Sequence, residues 1–391
     1  MGKGKRQADV AVPAATGEAF VEPGPAHEAP ARRNQENHAV VNLELLKLLS
    51  ETPGVSGREE HIRQIVIKEL RPLVDELQVD ALGNVTAIKR GSGELRVMLA
   101  AHMDEIGFMV RYVDDQGFIR LQPLGGFDPR VLVAQRVLVH TATGQSLRGV
   151  LSPGSKPIHL LADEKPSGPK LDDFYVDLGL PASEVQGAVS LGDPVTLDRT
   201  FEVLGENVIG KALDDRSGVF TMIETLRRLG SHEVNVIAVA TVQEEVGLRG
   251  ATTAAFTVKP DVAIALDTTI ALDIPGSSSH DMITHIGQGV AIKVFDSSFI
   301  PNYKLVQHVR AVAAKHNIQH QLEVLPRGGT DAGAMQRSRH GVAAITLSIP
   351  SRYVHTVNEM VSQRDLDAAI TLLARYLEEA HTGSYDLGRM D

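Results

Sequence analysis

Residues 234–247, Val-Asn-Val-Ile-Ala-Val-Ala-Thr-Val-Gln-Glu-Glu-Val-Gly, join an apolar run to two adjacent carboxylates. A short run rich in β-branched residues predicts a buried strand, and Glu244 and Glu245 would then follow its carboxyl end. Two carboxylates at a strand end can share metal-assisted hydrolysis, because one can hold a cation while the other moves a proton. A solvated turn is the simpler explanation, but the strongly apolar strand and Gly247, which permits close packing, favour a site.

Four other apolar runs are also followed by side chains that can bind metals. They extend from Leu95 to Ala101 before His102 and Asp104, from Val208 to Leu213 before Asp214 and Asp215, from Val262 to Leu266 before Asp267, and from Val342 to Ile349 shortly before His355. Taken alone, each has an ordinary explanation, such as a helix N-cap for one of the two aspartates. In open α/β sheets, however, ligands bind outside the carboxyl ends of strands. We therefore predict that five segments converge on one site.

Composition excludes several classes of partner. The 391 residues carry 39 Lys and Arg against 49 Asp and Glu, which gives a formal charge of −10. The sequence has no long basic stripe, so it does not predict nucleic-acid binding. No apolar stretch approaches the roughly 18 to 20 residues of a membrane-spanning helix, and the N-terminal region has no apolar signal-peptide core. We therefore expect a cytoplasmic protein without membrane partners. Since there are no cysteines, any metal must be bound by His, Asp and Glu, which suit Zn, Co or Mn.

The composition and the pattern of apolar residues change along the chain. Residues 1–38 are rich in Ala, Pro, Gly and Glu without periodicity, which predicts a disordered tail. Residues 107–198 alternate short apolar runs with Gly, Pro and Asp clusters, which predicts a small all-β insert. The flanking segments, 39–106 and 199–391, alternate strands with helices. The sequence therefore predicts an α/β catalytic domain whose sheet is covered by helices on both faces, interrupted by the insert.

A hydrolytic site with two metal ions needs a bridging carboxylate, further His and carboxylate ligands, and an unbound base that activates water. Six residues supply this set with one carboxylate to spare: His102, Asp214, Glu244, Glu245, Asp267 and His355. The carboxylate of Asp104 is expected to accept the second imidazole N–H of His102 and to fix its tautomer. The loop with Gly329, Thr330 and Asp331 lacks the Lys-Ser/Thr of a P-loop, and we predict that it forms part of a substrate pocket.

These residues lie in motifs that resemble the M42 family of metallo-aminopeptidases, the glutamyl and leucyl aminopeptidases of the tetrahedral TET type. The resemblance extends from about residue 40 to 380. Its motifs are Ala-His-Met-Asp-Glu-Ile-Gly at 101–107, Gly-Ser-Lys-Pro-Ile-His at 154–159, Ala-Leu-Asp-Asp-Arg at 212–216, Gln-Glu-Glu-Val-Gly-Leu-Arg-Gly at 243–250, Gly-Thr-Asp-Ala at 329–332 and Ile-Pro-Ser-Arg-Tyr-Val-His at 349–355.

The resemblance implies a role for each site residue. His102 and Asp267 would bind one metal, Glu245 and His355 the other, and Asp214 would bridge them, joined to Asp215 by a cis peptide. Glu244 would be the general base. Two divalent ions per subunit are expected, zinc first and cobalt or manganese as alternatives.

The resemblance also implies the overall organisation and the substrate. The fold would be that of co-catalytic zinc peptidases, a mixed sheet sandwiched by helices, with residues 107–198 as an inserted, barrel-like β dimerisation domain. The subunits would form dimers and a tetrahedral dodecamer, and the substrates would be short peptides with a free N-terminus.

Three other functions remain open at the level of the sequence. A deacylase or carboxypeptidase could use the same metal site on the same scaffold. A glycosidase would need two carboxylates flanking a sugar and no obligatory metal. A non-catalytic particle could retain the fold, although it has no physical reason to keep the whole set of ligands together with Glu244.

Overall fold

The computed structural model describes residues 1, 41–154, 158–160 and 168–388. Apart from Met1, the predicted tail lies outside these residues, as does part of the motif at 154–159. The described helices are α1 (Leu43–Glu51), α2 (Glu60–Leu70), α3 (Ala182–Ala188), α4 (Leu213–Arg228), α5 (Arg249–Val258), α6 (Tyr303–Lys315), α7 (Asp331–Gln336) and α8 (Gln363–Glu379).

The described strands form two groups. Those of the large sheet are β1 (Glu76–Val79), β2 (Val85–Lys89), β3 (Arg96–His102), β10 (Glu202–Leu204), β11 (Asn207–Gly210), β12 (Asn235–Thr241), β13 (Val262–Ile270), β14 (Val290–Phe295), β15 (His320–Val324), β16 (Ala343–Arg352) and β17 (Glu359–Ser362). Those between β3 and β10 are β4 (Gly107–Val113), β5 (Ile119–Leu124), β6 (Gln135–His140), β7 (Ser146–Pro153), β8 (Phe174–Asp177) and β9 (Pro194–Leu197).

The predicted strand before Glu244 is β12, and it lies inside a mixed sheet. The strand order is β1-β2-β12-β3-β13-β16-β17-β11-β10, with β14 paired to β16 and β15 paired to β14. Strands β12, β3, β13 and β16 are parallel neighbours, and Thr241 pairs with His102. Because parallel strands end at the same edge of a sheet, the residues that follow these four strands are brought close together. The predicted mixed α/β sheet is confirmed.

The parallel strands are buried on both faces, as their continuous apolar sequences predict. Side chains of β3 alternate: Val97 and Leu99 pack into a large core with α1, α2, α4, α6 and α8, whereas Met98 and Ala100 pack against α5 and α7. Small residues of α5, such as Ala251 and Ala254, allow that helix to lie close to the sheet. The prediction that helices cover both faces is therefore confirmed.

The strands between β3 and β10 close into a barrel in the order β4-β5-β8-β7-β6-β9. All of its pairings are antiparallel, and its interior is filled by a core of its own that includes Phe108, Ile119, Val137 and Val195. The barrel-like insert is thus confirmed as part of the fold, while the exact domain boundaries and the dimerisation role stay predictions. Among the described helices, none is long and apolar enough to span a membrane.

Candidate metal centre

His102 is the last residue of β3 and is buried. Its ring Nδ1 lies 3.0 Å from the backbone carbonyl oxygen of Asp104. A carbonyl can only accept a hydrogen bond, so Nδ1 carries the proton and Nε2 is the atom that faces the site. We predicted the carboxylate of Asp104 as the acceptor, but its Oδ1 is farther away, at 3.5 Å. The tautomer of His102 is thus fixed by the backbone carbonyl of Asp104.

The carboxylate of Asp104 has a different use in the structure. Its Oδ1 accepts the backbone N–H of Glu244 at 3.0 Å, and its Oδ2 accepts the N–H of Glu245 at 3.2 Å and the hydroxyl of Ser56 at 2.6 Å. The group is fully buried, so these donors also offset the cost of burying a charge. Asp104 therefore holds the loop after β12 in place.

The loop that carries Glu244 and Glu245 turns sharply on both sides of them. Gln243 has φ 55° and Gly247 has φ +122°. A Cβ added to Gly247 would meet nothing within 4 Å, so the predicted close packing is wrong, and the backbone conformation is what requires glycine there. Oε2 of Glu244 lies 4.0 Å from Nε2 of His102. Both carboxylates line a cavity of about 740 Å³ at the carboxyl edge of the parallel strands.

Asp214 and Asp215 are joined by a cis peptide and have different surroundings. Asp215 accepts the backbone N–H groups of His102 at 3.1 Å and Gly218 at 2.9 Å, so both of its oxygens are engaged and it caps the regular part of α4. Asp214 instead lines the cavity, where Oδ1 lies 3.2 Å from Nε2 of His102 without the alignment of a hydrogen bond. A buried carboxylate oxygen with no donor is a typical ligand position, and this difference favours Asp214 over Asp215.

Asp267 also lines the cavity, from within β13 and not from its end. We predicted that the strand would stop at Leu266, but Thr268 and Thr269 continue the parallel pairing with β16. Ligand atoms of Asp267, His102 and Asp215 all lie within 4.8 Å of one another, although both oxygens of Asp215 already accept backbone N–H groups. Asp267 is therefore held by a sheet strand and not by a loop.

His355 follows β16 in a tight turn with φ 62°. Its Nδ1 lies 2.7 Å from the carbonyl oxygen of Gly126, in the loop after β5, which fixes the tautomer in the same way as for His102. Nε2 then faces Glu245 Oε1 at 3.4 Å and Asp214 Oδ2 at 3.5 Å. Gly125, which precedes Gly126, cannot carry a side chain without strain, because its φ is +90° and a Cβ would lie 3.2 Å from Glu245 Oε2. The barrel thus contributes part of the wall of the site.

The donor set fits divalent cations. Ligand atoms of His102, Asp214 and Glu245 lie within 4.8 Å of one another, and nitrogen and oxygen donors of this kind suit Zn, Co or Mn. Burial raises the pKa of Glu244 well above its usual range, and the neighbouring charge of Asp267 raises it further against the opposing effect of His102. Burial also raises the pKa of Asp267, with Asp214 adding to the rise. Carboxylates this close together repel one another when ionised, and a cation bound between them would relieve that repulsion.

The predicted pocket loop divides into two parts. Gly329 and Thr330 line the cavity together with Arg327. Asp331 does not: it is buried behind the site at the start of α7, where its Oδ2 accepts the Thr241 hydroxyl at 2.5 Å. The geometry therefore removes Asp331 from the pocket wall and gives it a supporting position.

Two residues at the site, Gly126 and Glu359, were not predicted from the sequence. Gly126 carried a weak signal, since paired glycines in the insert indicate a tight turn. Glu359 carried none, although it is buried and its carboxylate accepts the backbone N–H groups of Asp214 at 3.0 Å and His355 at 2.8 Å. Burial and the charge of Asp214 raise the pKa of Glu359, and the backbone N–H groups of Asp214 and His355 oppose this rise.

Comparison with known proteins gives consistent similarities. Residues 83–372 match the M42 glutamyl aminopeptidase family. Lysyl aminopeptidase of Pyrococcus furiosus is 40% identical over 347 residues, which cover 87% of this chain and 98% of the relative. An aminopeptidase of the archaeon Desulfurococcus kamchatkensis superposes with a TM-score of 0.84 at 39% identity, covering 88% of this chain and 98% of that one. The TET1 peptidase of Pyrococcus horikoshii, which can assemble into a tetrahedron or a large octahedral shell, superposes with a TM-score of 0.77 at 35% identity, covering 86% and 99%.

Proposed function

The chain belongs to the M42 glutamyl aminopeptidase family of hydrolytic enzymes, and we propose that it is a dinuclear-metal aminopeptidase that releases N-terminal amino acids from short peptides. One observation carries the proposal beyond family membership. Five segments bring His102, Asp214, Glu244, Glu245, Asp267 and His355 to the wall of a single cavity. Such a set matches the needs of a two-metal hydrolytic site, with one carboxylate left over as a base.

We assign Asp214 as the bridging ligand, His102 and Asp267 as ligands of one ion, and Glu245 and His355 as ligands of the other. The Nε2 atoms of His102 and His355 lie near different oxygens of Asp214, which supports this division. When bound, the metals would supply a water of lowered pKa and a positive charge that polarises the scissile carbonyl. We propose zinc, with cobalt or manganese as alternatives, because the nitrogen and oxygen donors accept all three.

Glu244 is the proposed general base. Its carboxylate is mostly buried, lines the cavity and is raised in pKa by burial, which brings a carboxylate closer to the pH at which it can both take and return a proton. It would remove a proton from the attacking water and then deliver it to the amine that leaves when the peptide bond breaks. Asp104 would act through Glu244, by holding its backbone.

The donors of the cavity support recognition of a free N-terminus. Glu244, Glu245, Asp214 and Asp267 all line it. The ions would compensate the charge of these carboxylates, so we propose that one ion, together with the nearby carboxylates, receives the unblocked α-amino group of the peptide. An acetylated peptide lacks this group. Arg327 also lines the cavity, so the carboxypeptidase alternative is separated by the peptide with an amidated C-terminus.

The test uses one peptide in three forms: with both ends free, with an amidated C-terminus, and with an acetylated N-terminus. Protein stripped with chelator is reconstituted separately with Zn, Co and Mn. An aminopeptidase should cleave the first two forms, reject the third, and be inactive before reconstitution. Cleavage of the acetylated form alone would identify a deacylase, and sugar hydrolysis that survives chelation would identify a glycosidase.

We also propose that residues 107–198 form a dimerisation domain and that dimers build a tetrahedral dodecamer. The closed barrel and exposed apolar side chains on it, such as Tyr112 and Val150, support a contact role. The assembly of the Pyrococcus horikoshii relative supports the larger particle. Analytical ultracentrifugation separates a monomer, a dimer and a dodecamer by mass. The cytoplasmic location stays a prediction.

A further inference from the structure

Glu359 is the first residue of β17 and lies outside the cavity wall, 1% exposed. Its Oε2 accepts the backbone N–H of Asp214 at 3.0 Å, and its Oε1 accepts the backbone N–H of His355 at 2.8 Å. These two residues are 145 and 4 positions away along the chain. One carboxylate therefore fixes the main chain beneath two of the proposed ligands.

The sheet explains why this position reaches both. Strand β17 pairs with β11, where Glu359 lies opposite Gly210, and with β16, where Met360 lies opposite Arg352. The chain leaves β11 towards Asp214 and leaves β16 towards His355. Glu359 thus stands at the edge of the sheet from which both ligand-bearing turns depart.

Both turns need an external support. Ala212, two residues before Asp214, has φ 55°, and His355 has φ 62°, which are uncommon conformations for residues other than glycine and cost energy that the surroundings must offset. A carboxylate offers an acceptor oxygen to each N–H. An amide in the same place would offer one oxygen and would oppose an N–H donor with its own NH₂ group.

We propose that Glu359 is a positioning residue that aligns Asp214 and His355 for metal binding by accepting both of their backbone N–H groups. The inference rests on the proposed function, because it assumes that these residues hold ions. Glu359 touches neither the cavity nor a reacting atom. Its effect reaches the site through the placement of Asp214 and of His355, whose imidazole faces both Asp214 and Glu245.

The chain contains a matched control. Asp365, six positions later on α8, is also a fully buried carboxylate, and it accepts the backbone N–H groups of Gly287 and Gly289, both at 2.7 Å. It performs the same local chemistry away from the metal centre. A loss that reflects only general loosening of the fold should appear in both variants, whereas a loss of ligand alignment should appear only at Glu359.

The experiment compares Glu359→Gln, Asp365→Asn and the wild-type enzyme. Affinity for Zn and for Co is measured by chelator competition, the visible absorption spectrum is recorded with Co, and thermal unfolding is followed in the metal-free state. We expect Glu359→Gln to lose at least about tenfold in affinity for an ion and to change the Co spectrum, as loss of a group that orients ligands generally does. Asp365→Asn should lower the unfolding temperature while keeping wild-type affinity and spectrum.

Wild-type affinity and spectrum in Glu359→Gln would overturn the inference while leaving the proposed function intact. An equal loss of affinity in Asp365→Asn would also overturn it, since the effect would then be general. If the wild-type protein bound no ion, the proposed function itself would fail. Should Glu359→Gln not be recovered folded, Glu359→Asp replaces it, because the shorter arm keeps both oxygens but cannot reach both N–H groups, and a loss of affinity is expected there too.

Discussion

Asp104 and Glu244 are 140 residues apart in the chain, yet Oδ1 of Asp104 accepts the backbone N–H of Glu244 at 3.0 Å. The proposed base is therefore positioned by the residue that follows the neighbouring strand, not by its own strand. The other oxygen of Asp104 accepts the N–H of Glu245 at 3.2 Å. A single carboxylate thus ties the base and a proposed ligand to the turn after His102.

Replacement of Asp104 should reduce catalysis without unfolding the protein. In Asp104→Asn one of the two N–H groups loses its acceptor, so we expect kcat to fall by about 10- to 100-fold. Ser56→Ala is the control, since it removes a hydroxyl donor to Asp104 and leaves both loop contacts in place. It should cost about 1 kcal/mol of stability and little activity. Equal kcat values for the two variants would argue against the positioning role.

Replacement of Glu244 should strongly reduce turnover and leave metal binding unchanged. Glutamine keeps the shape of the side chain and cannot take a proton, so Glu244→Gln should lower kcat by about 10²- to 10⁴-fold. Metal content, measured by elemental analysis after dialysis, should equal that of the wild type. The exposed Glu202→Gln serves as a control for the loss of one negative charge. Near-normal turnover would remove Glu244 as the base.

Removal of metal should destabilise the fold as well as inactivate it. Without cations, the carboxylates of Asp214, Glu245 and Asp267 line one cavity and repel one another. Each ion present at 100 times its dissociation constant adds about 2.7 kcal/mol of stability. Differential scanning calorimetry with chelator and then with increasing Zn should show the unfolding temperature fall and recover. A temperature that did not respond to either addition would contradict the ligand assignment.

The two charges of the buried ion pair between Lys211 and Glu105 should stabilise the fold in a strongly coupled way. Nζ of Lys211 lies 2.7 Å from Oε2 of Glu105, whose Oε1 accepts the backbone N–H of Gly54 at 3.0 Å. Lys211→Met leaves the Glu105 carboxylate with only the more distant Arg216, at 3.8 Å, and should cost about 3 kcal/mol. The double variant with Glu105→Gln should cost clearly less than the sum of the single variants, as measured by urea unfolding. Additive costs would mean that the two charges do not stabilise each other.

Asp365 should make stability depend on pH in a way that its asparagine variant lacks. Burial raises its pKa from 3.8 to about 6, against the opposing hydrogen bonds from Gly287 and Gly289. Between these values the native state holds a proton that the unfolded chain does not. The contribution is therefore fully present below pH 3.8 and is lost as pH rises through about 6. The difference in unfolding free energy between wild type and Asp365→Asn should accordingly become less favourable to wild type from pH 4.5 to 7. A constant difference would contradict the raised pKa.

The sequence predicted the parts of the site that follow directly from buried strands. An apolar run cannot carry polar ligands, so the residues after β3 and β12 had to lie at a sheet edge, and parallel pairing aligned them. The contacts that support the site residues could not be predicted from the sequence. Gly126 and His355 are separated by 229 positions, and only the folded barrel brings them together. The direction of Asp331 depends on the rotation of α7 about its axis, which the motif around it does not specify.

The proposed ligands extend from residue 102 to residue 355: His102 ends β3, Asp267 lies within β13 and His355 follows β16. A nascent chain that has not yet been synthesised through residue 355 lacks a histidine of this set, as does any fragment truncated before it. Under the proposed assignment, the set of ligands would be complete only after residue 355 has been synthesised. The proposed hydrolase would therefore be inactive before that point, and binding of both ions would report that the chain has folded through His355.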